Sequence, residues 1–245
     1  MKLDEENRVI LVPAQEADLA DFQLSLQDAV LVLVLEHAPA AAAQRVALVV
    51  GNSAYQSVPF LPNPVNDATD VSASLKRLGL DVRTIFNAKY DDLRRALIEF
   101  TQRSIGAELA VIYFAGHGIQ VSDENWLIPV DAELATDRTV ENEAVGLQSL
   151  TRAVSGATKL GLVILDACRS NPFVPKMRSA GASRAVDRGF ARVEPIENVL
   201  VAFAARDGTT ASDGVGRNSP FTKSLLAHLE TPGLEVRFLF ANVRD

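Results

Sequence analysis

The sequence predicts an α/β protein with a mostly parallel central sheet of about six strands and helices on both faces. Three observations lead there. Two near-continuous apolar runs, Glu108 to Phe114 (ELAVIYF) and Lys159 to Leu165 (KLGLVIL), have the length and texture of parallel strands covered on both faces. Strand and helix patterns alternate from Arg45 onward, which implies right-handed crossovers between parallel strands. Finally, 245 residues of which 48% are hydrophobic suffice for one substantial core, so a single domain at 45–245 preceded by an extension at 1–44 fits better than two full domains.

Taken in order, residues 1–44 differ from the rest. Asp4, Glu5, Glu6, Glu16, Asp18, Asp21 and Asp28 make an acidic start, and Ala29 to Leu35 (AVLVLVL) leads into an Ala-rich linker. Seven apolar residues cannot span a bilayer as a helix. The run followed by small residues has the look of a signal core, but a signal peptide begins with basic residues and this one begins with acids. A strand or helix packed on the domain is expected here, with a cytoplasmic location; a periplasmic or secreted one follows if residues 1–43 act as a signal, and N-terminal sequencing decides. Next come a strand at Arg45–Gly51, a loop with Pro59, Pro62, Asn63 and Pro64, and a helix from about Asn66 to Arg77 ending before Gly79, a residue suited to a left-handed cap. A strand at Asp81–Phe86 precedes a helix starting near Tyr90, with Leu93, Ala96, Leu97 and Phe100 at helical spacing. After the Glu108–Phe114 strand, Gly118–Val121 and Asn125–Val130 form a small hairpin, and Glu141–Ala157 reads as helix. The Lys159–Leu165 strand, an Arg-rich loop, a strand at Asn198–Ala204 and a helix at Pro220–Glu230 complete the domain. The chain stops in a helix at Leu234–Asp245 without a stop signal, as a piece of a longer protein would.

Composition excludes several functions. A net charge of −7 argues against a nucleic-acid partner, because phosphate recognition relies on clustered Lys and Arg. One cysteine excludes an internal disulfide framework and a multi-Cys zinc site, so the thiol either reacts or packs. Gly51-Asn52-Ser53 after the first strand lacks both nucleotide-binding loop patterns.

That cysteine, Cys168, ends Asp166-Ala167-Cys168-Arg169 after one apolar run, and His117, in Gly116-His117-Gly118, follows the other 51 positions upstream. In parallel sheets, sites gather at the carboxyl ends of strands, so neighbouring strands would bring the two side by side. A thiol of ordinary pKa, about 8.5, attacks poorly without a nearby base, which His117 supplies. A lone cysteine is more often a small buried hydrophobe; it is the joint context that favours a dyad. Gly118 leaves its N–H open to a carbonyl, and with the N–H of Cys168 it forms a candidate oxyanion pocket. Asp166, two residues before Cys168, lies on the same side of an extended strand, where an acid lines the pocket for the residue preceding the cut bond. His37 reads as linker and His228 as a polar-face helix residue.

Val111 to Gly118 (VIYFAGHG), followed by Val163 to Phe173 (VILDACRSNPF), resembles the caspase-like peptidases, on the bacterial branch beside the metacaspases. Arg45 to Tyr55 (RVALVVGNSAY) is similar to the family's first strand, and Pro64-Val65-Asn66-Asp67-Ala68 to its first helix entry; the resemblance covers 45–245. The interval of about 50 residues between histidine and cysteine agrees with caspases, while the caspase pentapeptide around the cysteine is absent, which favours the metacaspase side. The resemblance implies a caspase-like α/β/α sandwich, a cysteine endopeptidase with a His117/Cys168 dyad, and an oxyanion pocket from the amides of Gly118 and Cys168. It also implies that Asp67 faces the same pocket as Asp166. Two acids favour a polypeptide substrate cut after Arg or Lys, since an acidic side chain would meet like charge. The plain alternative for Asp67 is a helix-start acid held by the dipole, and for Asp166 it is structural bonding to loop amides. The loop at 176–192, with Lys176, Arg178, Arg184, Arg188 and Arg192, offers targets for self-cleavage or is simply a solvated segment. No cofactor is expected. Many metacaspases bind calcium through an aspartate shortly after the cysteine, and Arg169 to Pro175 holds no acid, so activity without calcium is expected. The competing class is a silent caspase-fold scaffold; scaffolds commonly lose the cysteine or histidine, and both are present. The oligomeric state is not legible.

Overall fold

The computed structural model describes residues 9–12, 44–121, 124–168, 173, 186–187, 196–204 and 216–244. Its strands are β1 (Val9–Val12), β2 (Arg45–Gly51), β3 (Asp81–Phe86), β4 (Leu109–Val121), β5 (Glu124–Leu127), β6 (Val145–Gly146), β7 (Leu160–Cys168), β8 (Val186–Asp187) and β9 (Val199–Ala204). The α-helices are α1 (Pro64–Arg77), α2 (Tyr90–Ser104), α3 (Val140–Glu143), α4 (Leu147–Val154), α5 (Pro220–Leu229) and α6 (Val236–Arg244). The main path of the sheet runs β1-β9-β7-β4-β2-β3. Every pair along it is parallel except β1 with β9. The α/β reading with a mostly parallel sheet therefore holds.

The central strands are buried on both sides because their apolar residues serve two cores by turns. Ala47 and Val49 of β2, Val111 and Tyr113 of β4, and Leu162 and Ile164 of β7 join α1, α5 and α6. Val46, Leu48 and Val50, Ile112 and Phe114, and Val163 and Leu165 join α2 and α4 on the opposite face. Helix α1 starts with Pro64 in its first turn and stops where Gly79 adopts φ 81°, the conformation a residue without a Cβ takes most easily. Helix α5 starts at Pro220 behind Ser219, whose hydroxyl accepts the N–H of Thr222.

Three expectations are revised. The His and Cys strands do not end at Phe114 and Leu165 but run on as β4 and β7, because each finds a hydrogen-bonding neighbour further along. The helix expected over Glu141–Ala157 is broken: α3 ends at Glu143, Val145-Gly146 pairs with β5, and α4 begins at Leu147. The break is held by the Glu143 carboxylate, which accepts the N–H groups of Glu133 and Leu134, both at 2.8 Å, and pins the turn before it. At the amino end, Val9–Val12 pairs with β9; the Ala29–Leu35 run lies outside the described residues, as do Lys176, Arg178, Arg184, Arg188 and Arg192. Among the described residues no helix is long and apolar enough to cross a membrane.

Candidate active site

Strands β4 and β7 are neighbours in the middle of the sheet, and their register pairs Ala115 with Asp166, Gly116 with Ala167 and His117 with Cys168. Adjacent strands stand about 4.8 Å apart. Positions 117 and 168 therefore sit side by side at the carboxyl end of the parallel portion. Residue alternation carries Tyr113 and Ala115 on β4, and Ile164 on β7, along the face that α1 and α5 cover, and Asp166, two residues beyond Ile164, meets Ser219 and Thr222 at the start of α5.

His117 is locked from its backbone outward. Its N–H donates to Tyr55 Oη at 2.7 Å, and its carbonyl accepts the N–H of Ile128 at 3.0 Å. The Tyr55 hydroxyl donates in turn to the Ile128 carbonyl at 3.2 Å, and the Tyr55 ring lies 4.5 Å from the imidazole, centroid to centroid. Phe173 meets the imidazole edge-on at 6.3 Å. Such an approach needs a residue without a Cβ next door: a Cβ on Gly116, at φ 156°, would stand 2.6 Å from Tyr55 Oη. Asn52 supports the arrangement from below. Its N–H donates to the Ala115 carbonyl, its Oδ1 accepts from Ala88 N–H, and its Nδ2 donates to the Ile128 carbonyl. The imidazole is 5% exposed, and neither ring nitrogen has a hydrogen-bond partner among the described residues. Burial among apolar rings disfavours the charged form and lowers the His117 pKa to about 4. The ring is a neutral base at pH 7.

Gly118 pairs with Leu127 of β5 in the register where the flanking residues, His117 carbonyl and Ile128 N–H, make the bond. In that pairing the N–H of Gly118 points away from β5. It is directed to the side where β7 ends and before β8 takes up pairing at Gln120.

The two aspartates meet at Ser219. Asp67, 1% exposed in the first turn of α1, accepts the N–H of Ser219 at 3.0 Å. Asp166 Oδ2 accepts the Ser219 hydroxyl and, at 2.8 Å, the Thr222 hydroxyl. Thr222 Oγ1 lies 2.5 Å from Tyr113 Oη, so with its own proton on Asp166 it accepts from the tyrosine. Helices α1 and α5 both begin at this rim, and their N-terminal dipoles favour negative charge there. The arrangement is an acidic cluster of three chain segments, two strand-residues from position 168. His228 lies half-buried on α5, far along the chain from this rim. Among the described residues no group of three or more His, Cys, Asp or Glu side chains is placed to hold a metal ion.

A His and a Cys in register on adjacent parallel strands, with acids at the same rim, is an arrangement on which comparison with known proteins bears directly, and the caspase domain family matches residues 44–245. This chain belongs to that family. It is a family of caspase-like cysteine peptidases, and its proteases act on polypeptide substrates. A 128-residue stretch, 52% of the chain, is 28% identical to human mucosa-associated lymphoid tissue lymphoma translocation protein 1. The mouse homolog of that protein is 27% identical over the same length. The match spans only 15% of the length of each of these relatives.

Within this caspase domain, sequence reasoning passed over Asn52, Tyr55, Ser219 and Thr222. Tyr55 and Asn52 stand in the Gly-Asn-Ser-Ala-Tyr turn after β2, where a buried amide and a hydroxyl have no periodic signal. Ser219-Pro220 did carry one: a Ser followed by Pro marks a helix start, and a capping hydroxyl is also placed to meet a second partner.

Proposed function

We propose that this chain is a cysteine endopeptidase of the metacaspase-like kind, cutting polypeptides after Arg or Lys with His117 and Cys168 as its dyad. The observation that carries the proposal is the register pairing of positions 117 and 168 on adjacent strands. His117 takes the thiol proton as the Cys168 sulfur attacks the carbonyl carbon, and the N–H groups of Gly118 and Cys168 receive the negative oxygen. Each such donor is worth about 3 kcal/mol in comparable sites. The intermediate collapses, the C–N bond breaks, and the departing amine takes the proton back from His117. Water then attacks the thioester with His117 again as base, releasing the acid and restoring the thiol.

Burial lowers the His117 pKa to about 4, so the imidazole is neutral and open to the thiol proton when the sulfur attacks. Asp67 and Asp166 supply the counter-charge for the basic side chain before the cut bond; their joint attachment to Ser219 supports a shared pocket. Activity proceeds without calcium, in the cytoplasm, and the 176–192 segment is a target of the enzyme itself.

Fluorogenic peptides ending in Arg, Lys or Asp, assayed with the chain and with Cys168→Ala, test the reading. Turnover of the Arg and Lys peptides that disappears in the variant is expected. No turnover of any peptide, with tight binding of a protein partner, would select a caspase-fold scaffold instead. Incubating both proteins alone, and with a chelator, reads self-cleavage and calcium.

A further inference from the structure

The three residues before α5 each grip α1 at one of two acids a single turn apart. Arg217 binds Asp70 with both arms, Nε to Oδ2 at 2.8 Å and Nη2 to Oδ1 at 2.9 Å, and Asn218 Nδ2 adds a third bond to Oδ2 at 2.9 Å. Ser219 then meets Asp67 through its N–H. Asp67 and Asp70 are three residues apart on a helix, hence neighbours on one face. The Arg217 hydrogen bond is the main cause holding the Asp70 carboxyl below its usual range, against the opposing effect of partial burial.

Ser219 has one hydroxyl proton, which Asp166 takes, and one lone-pair direction given to the Thr222 N–H. Its position is therefore over-determined: the β7 acid, the α1 acid and the start of α5 are all satisfied only when it stands in one place. What fixes that place from outside the pocket is the Asp70 grip on its two predecessors.

We infer that Arg217, Asn218 and Asp70 form a clasp that positions Ser219 between Asp67 and Asp166, so that affinity for a basic substrate side chain depends on residues that never touch it. The inference rests on the proposed peptidase specificity for its ligand. Arg217 is a positioning residue, and its sign separates this idea from simple electrostatics. The guanidinium feels the charge of Asp67 as well as Asp70. Removing a cation beside an acidic pocket would by charge alone tighten the binding of another cation. Loosening the clasp weakens it.

The test uses the Cys168→Ala protein, which binds without turnover, and fluorescence polarisation of a peptide with Arg at the cleavage position and a twin with Gln. Arg217→Ala and Asp70→Asn are each expected to weaken the Arg peptide about tenfold, the scale of one charge-assisted hydrogen bond. The double variant is expected to be no weaker than either single one, with the Gln peptide unmoved. In the active chain the loss appears in KM and not in kcat, and Arg217→Lys recovers part of it. Unchanged or tighter Arg-peptide binding in Arg217→Ala would overturn the inference, as would equal weakening of both peptides. If the parent binds neither peptide, the specificity reading fails on its own, and the clasp is judged by amide hydrogen exchange at Ser219 and Thr222. Exchange about tenfold faster in both variants upholds it, and unchanged exchange overturns it.

Discussion

Replacing Gly116 with alanine tests whether the Tyr55 hydroxyl holds the His117 backbone in place. A Cβ there would stand 2.6 Å from Tyr55 Oη, against an ordinary contact of 3.4 Å or more, so the hydroxyl must withdraw by about 0.8 Å. That withdrawal breaks the 2.7 Å bond from His117 N–H and leaves a buried donor unpaired, which costs about 2 kcal/mol. The remaining contacts, Phe114 Cζ at 3.1 Å and Asn52 Cβ at 3.2 Å, together with the φ of 156°, add about 2 kcal/mol of crowding and strain. The total of about 4 kcal/mol lowers the melting temperature by roughly 8–16 °C in a chain of this size. In the Tyr55→Phe background the hydroxyl is already gone, so the same alanine costs only about 2 kcal/mol. Denaturant unfolding of the four proteins closes a double-mutant cycle with an expected coupling of about 2 kcal/mol. Additivity within about 0.5 kcal/mol would refute the reasoning, because it would mean that the alanine and the hydroxyl do not compete for one space.

Three further outcomes follow from the same geometry. His117 is buried with its pKa lowered from 6.5 to about 4, so between those values the unfolded chain binds the proton and the folded one does not. Stability at pH 7 thus exceeds that below pH 4 by about 3 kcal/mol on account of this ring, falling as pH drops from 6.5 through 4; His117→Gln, unfolded across that range, lacks the increment. Asp166→Asn keeps the shape of the side chain and removes its charge, and kcat/KM for Arg peptides is expected to fall about 30-fold with kcat nearly unchanged. Asn52→Ala strands the Ala88 N–H and a share of the Ile128 carbonyl, an expected loss of about 3 kcal/mol read by chemical denaturation.

Strands β2, β4, β7 and β9 were legible because buried parallel strands write themselves as unbroken apolar runs, and positions 117 and 168 stood out because each follows such a run. The helix at Glu141–Ala157 was misread since its periodicity continues across Ala144-Val145-Gly146, and only the distant partners Trp126 and Leu127 pull those residues into a strand. Asp166 stands out by its place two residues before Cys168 and Asp67 by the family resemblance, whereas Ser219, which bonds to both, gives no such sign. What the linear pattern hides is bonding between residues far apart in the chain. Tyr55 reaches His117 across 62 positions and Ser219 reaches Asp67 across 152.

The antiparallel seam at the β9 edge has a bearing on how the molecule is made. Val9 meets Ala204 and Val12 meets Val201, so two stretches about 190 positions apart must find each other, the earlier-made one ahead of its partner. During synthesis the Val-Ile-Leu-Val stretch waits without its mate while the rest of the sheet assembles. Its acidic flanks, Asp4, Glu5, Glu6 and Glu16, repel like-charged copies and keep neighbouring nascent chains from borrowing that sticky ribbon.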